Sequence, residues 1–200
     1  MNKKLVLASK NAKKIVEMQT LLAQLELEII PQAQLGVDEA EEPHNTFIEN
    51  ALAKARHAAA VTGLPAIADD SGLCVAALGG APGVRSARFA SEPQSDERNN
   101  QYLLEKLANV PENRRSAWYY CCLVLVRNAD DPCPMIADGR WHGRILTEAR
   151  GEGGFGYDPL FWLPTLAQSA AELSPERKNR LSHRGIAMRQ LLACLDNHPL

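Results

Sequence analysis

Ser116-Ala-Trp-Tyr-Tyr-Cys-Cys-Leu-Val-Leu-Val-Arg127 is the stretch that decides the fold class. It is rich in aromatic and β-branched residues, and no charge interrupts Ala117 to Val126. A strand that is apolar on both faces is buried on both faces, as in the centre of a sheet covered by helices. The flanking segments agree. Leu5–Ala8 is a short apolar run, followed by Ser9-Lys10-Asn11 and then by apolar residues at Ile15, Met18, Leu21, Leu22 and Leu25. That order reads as strand, turn and helix, with Asn11 placed to cap. Glu28–Pro31 reads as a second short strand. Thr46-Phe-Ile-Glu49 opens a second helix as a capping box, ended by Gly63 and Pro65. Pro65–Val75 reads as a strand interrupted by Asp69-Asp70-Ser71-Gly72, Gly79–Pro93 as loop, and Asp96–Leu107 as a helix. Pro134–Ile145 suggests a strand pair and Leu160–Leu163 a short strand, while Ser174-Pro175 opens a closing helical region. No repeat, low-complexity tract or linker divides the chain, so one α/β domain over residues 1–200 with a mixed sheet is expected.

Composition narrows the function classes. The chain has 200 residues, enough for a substantial core, and a net charge of −2, which does not support a large electrostatic footprint for nucleic acid. The apolar run Leu5–Ala8 is too short for a signal peptide or a membrane span, so a cytoplasmic protein is expected. The five cysteines are odd in number and form no C-x-x-C pair, and they read as reduced structural thiols.

Gly151-Glu-Gly-Gly-Phe-Gly-Tyr-Asp-Pro159 matches G-x-G-x-x-G literally. A dinucleotide fingerprint needs its glycines between a strand and a helix, however, and Pro159 disfavours helix at Asp158. No kinase-type strand or catalytic loop and no P-loop pattern accompanies the run. Two readings stay open: a glycine-rich connection, or a surface on which Phe155 stacks against a base.

Three further groups carry polar chemistry. Ser9, Asn11, Lys13 and Lys14 surround the first helix start, where backbone N–H groups and cations suit an anion; solvated lysines are the plain alternative. Glu41 and Glu42 lie before the second helix, and Asp69-Asp70 breaks an apolar run. Such carboxylates suit Mg²⁺, or equally an ordinary Asp-Ser-Gly turn. Lys178 to Gly185 places Ser182 as a cap, with His183 and Arg184 at an exposed helix start, either as donors for a site or as solvated charges.

In their order, these segments resemble the inosine/xanthosine triphosphate pyrophosphatase family, with the bacterial members nearest. The likeness covers nearly the whole chain: Ser9-x-Asn11-x-x-Lys14, Thr46-Phe47-x-Glu49-Asn50-Ala51 with Lys54-Ala55, Ala68 to Leu73, Gly80-Ala81-Pro82-Gly83, Gly153–Pro159 and Ser182-His183-Arg184-Gly185. Lys10 and Lys13 stand where bacterial relatives often carry glycine, which bears on the geometry of that loop. The resemblance implies a two-lobed domain around a long mixed sheet, with helices packed on it and an active-site cleft between the lobes. It further implies a homodimer that uses Mg²⁺ and binds neither nucleic acid nor membrane.

The same resemblance implies that Asp70 is general base and metal-associated carboxylate, with Glu41 a second metal ligand. Ser9, Lys10, Asn11, Ala12, Lys13 and Lys14 match the triphosphate loop, and Ser71 a substrate contact. Phe155 would stack on the base beside Gly156, Tyr157 and Asp158, with Lys178, His183 and Arg184 facing the purine's six-position oxygen. The implied reaction splits a deaminated purine nucleoside triphosphate into monophosphate and pyrophosphate. Donor-only Lys and Arg side chains donate to a C6 oxygen and reject the amino group of adenine. A pyrophosphatase for other modified nucleotides and a nucleotide sensor without turnover are the rival expectations.

Overall fold

The computed structural model describes residues 3–197 except 24 and 26. Its sheet has seven strands in the order β2-β1-β3-β4-β5-β6-β7: β1 Lys3–Ala8, β2 Leu27–Pro31, β3 Ala66–Val75, β4 Ser116–Val126, β5 Met135–Ile145, β6 Phe161–Leu163 and β7 Gln168–Ser169. β1 pairs in parallel with β2 and β3, whereas β6 pairs antiparallel with β5 and β7. The sheet is therefore mixed, and β4 lies at its centre as its apolar run requires. Among the described residues five helices accompany it: α1 Ala12–Leu22, α2 Phe47–Thr62, α3 Asp96–Lys106, α4 Pro175–Leu181 and α5 His183–Asn197.

Two expectations about strands are corrected. β3 runs unbroken through Asp69-Asp70-Ser71-Gly72, because side chains from other elements pair its carboxylates. Pro134–Ile145 holds one strand, not two. Burial alternates along Met135, Ala137, Gly139 and Trp141 with no break at Asp138-Gly139, the period-two signature of a single strand.

The chain divides into two compact units, Met1–Asp70 with Cys121–Gly139 and Arg184–Leu200, and Ser71–Tyr120 with Arg140–His183. In the first, Leu5, Leu7, Ile67, Leu123 and Leu125 of the strands meet Met18 and Leu22 of α1 and Met188 and Leu191 of α5. Each such side chain contributes about 1.5–3 kcal/mol on full burial. α2 instead buries Ala51, Ala55, Ala58 and Ala59, small residues that let a helix lie close. In the second unit the core gathers Leu103, Tyr119, Trp141, Phe161 and Leu163. All five cysteines carry free thiols, and burial pushes the Cys122 thiol up to about 11, so it stays protonated at neutral pH.

Helix ends follow their local sequence. Asn11 caps α1, Thr46 accepts from the Glu49 N–H at the start of α2, and Ser174 caps α4 with Pro175 in its first turn. Gly63 closes α2 at φ +67°, a left-handed geometry that glycine adopts without strain.

Candidate active site

The polar centre of the first unit is built on β3. Consecutive strand residues point to opposite faces, so Asp69 and Asp70 meet different helices. Asp69 accepts hydrogen bonds from Lys14 Nζ of α1 at 3.0 Å and from Arg184 Nη2 of α5 at 3.2 Å. Arg184 also pairs with Glu17, one turn beyond Lys14 on α1. Asp70 accepts from two residues of α2, Lys54 Nζ at 3.3 Å and Asn50 Nδ2 at 3.3 Å. Lys54 reaches on to Glu42 Oε1 at 3.1 Å. Asn50 fastens the preceding loop to the same point: its Oδ1 accepts from the His44 N–H at 3.1 Å, and its Nδ2 donates to the His44 carbonyl at 3.2 Å.

These surroundings drive the two carboxylates apart. Burial opposes ionisation of Asp69, but Lys14, Arg184 and Lys54 overcome it and hold Asp69 far below the ordinary carboxylate range. At Asp70 burial prevails. Lys54 and Lys14 pull the other way, yet Glu42 and Asp69 add like-charge repulsion, and the Asp70 carboxyl is pushed up. Burial alone would lower Lys54, but Asp70, Asp69 and Glu42 raise it, so its ammonium is secure. Adjacent groups with divergent proton affinities are what acid–base chemistry needs.

At the N-terminal loop, Asn11 Oδ1 accepts from the Lys13 and Lys14 amides at 3.1 Å each, and Ser9 Oγ accepts from the Asn11 amide at 3.3 Å. Those backbone donors are occupied by the cap, so an anion arriving here meets the side chains first. Lys10, Ala12 and Lys13 are exposed, and Lys10 pairs with Glu39 at 3.4 Å across the surface.

The second unit holds the glycine run. Asp158 is 2% exposed. It accepts from Lys178 Nζ at 2.5 Å and from the Phe155 N–H at 2.8 Å, and it also hydrogen-bonds the Tyr119 hydroxyl. The Lys178 ammonium lies 4.4 Å from the centroid of the half-buried Phe155 ring. The Tyr157 hydroxyl donates to the Ser86 carbonyl at 2.8 Å. His183 stacks on Tyr119 at 4.7 Å with ring planes 9° apart, and Trp141 lies 6.4 Å away. Most of the glycines make room for the chain itself. A Cβ on Gly154 would stand 2.2 Å from Asp158 Oδ2, and one on Gly153 2.7 Å from the Ala171 carbonyl.

One expectation is overturned. His183 and Arg184 are 5% and 1% exposed, not a solvated helix start. Ring stacking shelters the first, and the carboxylates of Glu17 and Asp69 neutralise the second. Of the residues singled out from sequence, Lys14, Asp70 and Arg184 come together around the Asp69-Asp70 pair, while Phe155, Asp158 and Lys178 form one contiguous group. Ser71, half-exposed, follows Asp70 directly on β3. Glu41 is exposed, and the carboxylate that reaches Lys54 beside Asp70 is Glu42. The sequence reading missed Glu17, Asn50, Lys54 and Tyr119 as members of these groups. The spacing of Asn50 and Lys54, four apart on α2, carried a signal that both share one helical face.

Among the described residues, no three His, Cys, Asp or Glu side chains converge to form a metal cage. The donors near Asp70 are carboxylate oxygens without sulfur or imidazole, and like charges crowd a buried carboxylate there. That chemistry fits Mg²⁺, which binds through one or two carboxylates and completes its shell with phosphate and water.

Comparison with known proteins adds an independent line. The model described as the Ham1 family matches residues 5–194. A protein of Aromatoleum aromaticum named dITP/XTP pyrophosphatase is 66% identical over 200 residues, covering 100% of both chains. One of the same name from Chromobacterium violaceum is 61% identical over 191 residues, 96% of each chain. A HAM1 protein structure from Coxiella burnetii shares 49% identity at a TM-score of 0.91, covering 98% of this chain and 99% of its own. The Staphylococcus aureus Ham1 protein gives a TM-score of 0.87 at 38% identity, again over 98% and 99%.

Proposed function

This chain belongs to the Ham1 family, and from that premise we propose that it hydrolyses deaminated purine nucleoside triphosphates such as ITP, dITP and XTP to the monophosphate and pyrophosphate. The observation that carries the reaction is the opposed pair in β3. Asp69 is locked as an anion by Lys14 and Arg184, while Asp70 is buried, pushed up and held by Lys54 and Asn50. We assign residues 1–200 to one functional domain.

Asp70 accepts the proton of the attacking water, a task suited to a carboxylate whose affinity for protons is raised. Asn50 fixes the plane of that carboxylate. Asp70 would hold Mg²⁺ together with Glu41, and Glu42, which shares Lys54 with Asp70, would add a further carboxylate oxygen. When bound, the ion supplies charge neutralisation at phosphoryl oxygens and a lowered pKa for coordinated water. Ser9, Lys10, Asn11, Lys13 and Lys14 serve the triphosphate through hydroxyl, carboxamide and ammonium groups rather than through the capped amides, and Ala12 serves it through its backbone. Ser71 adds a hydroxyl next to the base.

At the other end of the nucleotide, Phe155 stacks on the purine, with Gly156, Tyr157 and Asp158 fixing the ring. Lys178 and His183 meet the C6 oxygen. Lys178 can only donate, so the amino group of adenine sets donor against donor. Arg184 acts from the Asp69 side, where its guanidinium is already engaged. The same reading carries a homodimer in the cytoplasm, which light scattering on purified protein checks as a doubled mass. Among the described residues no helix is long and apolar enough to cross a membrane.

The test is product identity. ³¹P spectra of ITP incubated with the protein and Mg²⁺ should show pyrophosphate and IMP growing together. Orthophosphate with IDP in their place overturns the reading.

A further inference from the structure

Gly156 is gripped from two sides by α3. Its N–H donates to Asp96 Oδ2 at 2.8 Å, and its carbonyl accepts from Asn100 Nδ2 at 2.8 Å. Asp96 and Asn100 are four residues apart and share one face of the helix. Through Gly156 they hold two successive peptide groups, those on either side of its Cα.

Gly156 sits at φ +63°, and a Cβ there would meet nothing within 4 Å. The residue is a glycine for its backbone angle, and hydrogen bonds from α3 hold both of its peptide groups. Asn100 makes its bond while leaving its own Oδ1 buried with no hydrogen-bond partner among the described residues, an unfavourable arrangement kept for the sake of the grip on Gly156. The adjoining residues are tied separately, Phe155 by its N–H to Asp158 and Tyr157 by its hydroxyl to Ser86. The peptide that joins Phe155 to Gly156 is held at both ends, its carbonyl accepting from the Asp158 N–H at 3.3 Å and its N–H donating to Asp96 of α3.

We infer that Asp96 and Asn100 are positioning residues for the base, acting through Gly156 on the Phe155 ring and setting affinity for the purine without touching the phosphate chemistry. This rests on the assignment of Phe155 to the base. Donor and acceptor roles make the two positions respond differently to substitution. Asn at 96 keeps an acceptor for the Gly156 N–H, whereas Asp at 100 turns a carboxylate onto the Gly156 carbonyl.

The experiment compares Asp96→Ala, Asp96→Asn, Asn100→Ala and Asn100→Asp on ITP and on ribose 5-triphosphate, which has no base. Asp96→Ala and Asn100→Asp should raise KM for ITP about tenfold with kcat within twofold, and leave kcat/KM for ribose triphosphate unchanged. Asp96→Asn should stay within threefold of wild type. Equal losses on both substrates, or no change in KM for ITP, overturn the inference. Amide hydrogen exchange provides a readout that needs no turnover. Exchange at Gly156 should quicken at least tenfold in Asp96→Ala but not in Asp96→Asn, and unchanged exchange overturns the grip itself. Wild-type protein inert toward ITP would instead count against the proposed function, and the exchange result would still decide the role of α3.

Discussion

Asp69 and Asp70 are neighbours on β3, yet Asp69 takes its ammonium from Lys14 at 3.0 Å and Asp70 from Lys54 at 3.3 Å. One strand thus presents two carboxylates to two different sets of cations. The division explains how a buried pair of like charges is tolerated and why the proton affinity of Asp70 is raised while that of Asp69 is lowered.

Stability should respond with opposite signs at the two positions. The folded pKa of Asp69 lies below its unfolded value, so its stabilisation is present above about pH 4 and is lost as pH falls further. The folded pKa of Asp70 is raised, so its contribution is present below the unfolded value and is lost as pH rises through the raised one. Asp69→Asn leaves Lys14 and Arg184 without their shared anion and should cost about 3–5 kcal/mol at pH 7. Asp70→Asn removes a strained charge and should raise the urea midpoint. Urea melts of both variants at pH 7 check the pair.

Activity should follow the reverse order of tolerance at Asp70. Asp70→Asn should lower kcat by about 10²–10⁴-fold while nucleotide binding persists. Asn50→Ala, which frees the carboxylate to rotate, should lower kcat about 10–100-fold. The acid limb of kcat/KM should lie above the ordinary carboxylate value of 3.8. It should move down as Mg²⁺ is raised, because a bound cation favours the ionised form.

Magnesium dependence separates the two neighbouring glutamates. Glu42 shares Lys54 with Asp70, whereas Glu41 is exposed. Glu42→Gln should raise the Mg²⁺ concentration for half-maximal rate about tenfold, and Glu41→Gln should shift it less. A titration of rate against Mg²⁺ for both variants reads this directly, and the opposite ranking makes Glu41 the stronger metal ligand of the two.

Phe155→Ala should raise KM for ITP by about 10–100-fold, the size of a lost base–aromatic stack of 1–3 kcal/mol. Phe155→Tyr keeps the ring and should stay near wild type. Steady-state kinetics on ITP suffice.

How far the sequence could be read depended on the range of the interactions. β4 was legible because its whole apolar run is local, and the caps at Asn11, Thr46 and Ser174 lie within a few residues of the helices they start. β3 looked broken because Asp69 and Asp70 are neutralised by Lys14, Asn50, Lys54 and Arg184, residues 16 to 115 positions away. Periodicity holds no trace of such pairs. His183 and Arg184 misled for the same reason: a cationic dipeptide at a helix start reads as solvated until Tyr119, Glu17 and Asp69 are placed beside it. The glycines of residues 151–156 announced a special backbone correctly. Their sequence could not say that Gly154 clears space for Asp158 rather than for a ligand.

Selectivity for deaminated purines is read from pyrophosphate release across a panel of dITP, ITP, XTP, dATP and dGTP under saturating Mg²⁺. The kcat/KM for the three deaminated purines should exceed that for dATP by about 10⁴-fold, the scale of rejection available to a site built on hydrogen bonds to the C6 oxygen. Equal rates across the panel, or no pyrophosphate from any member, would contradict it.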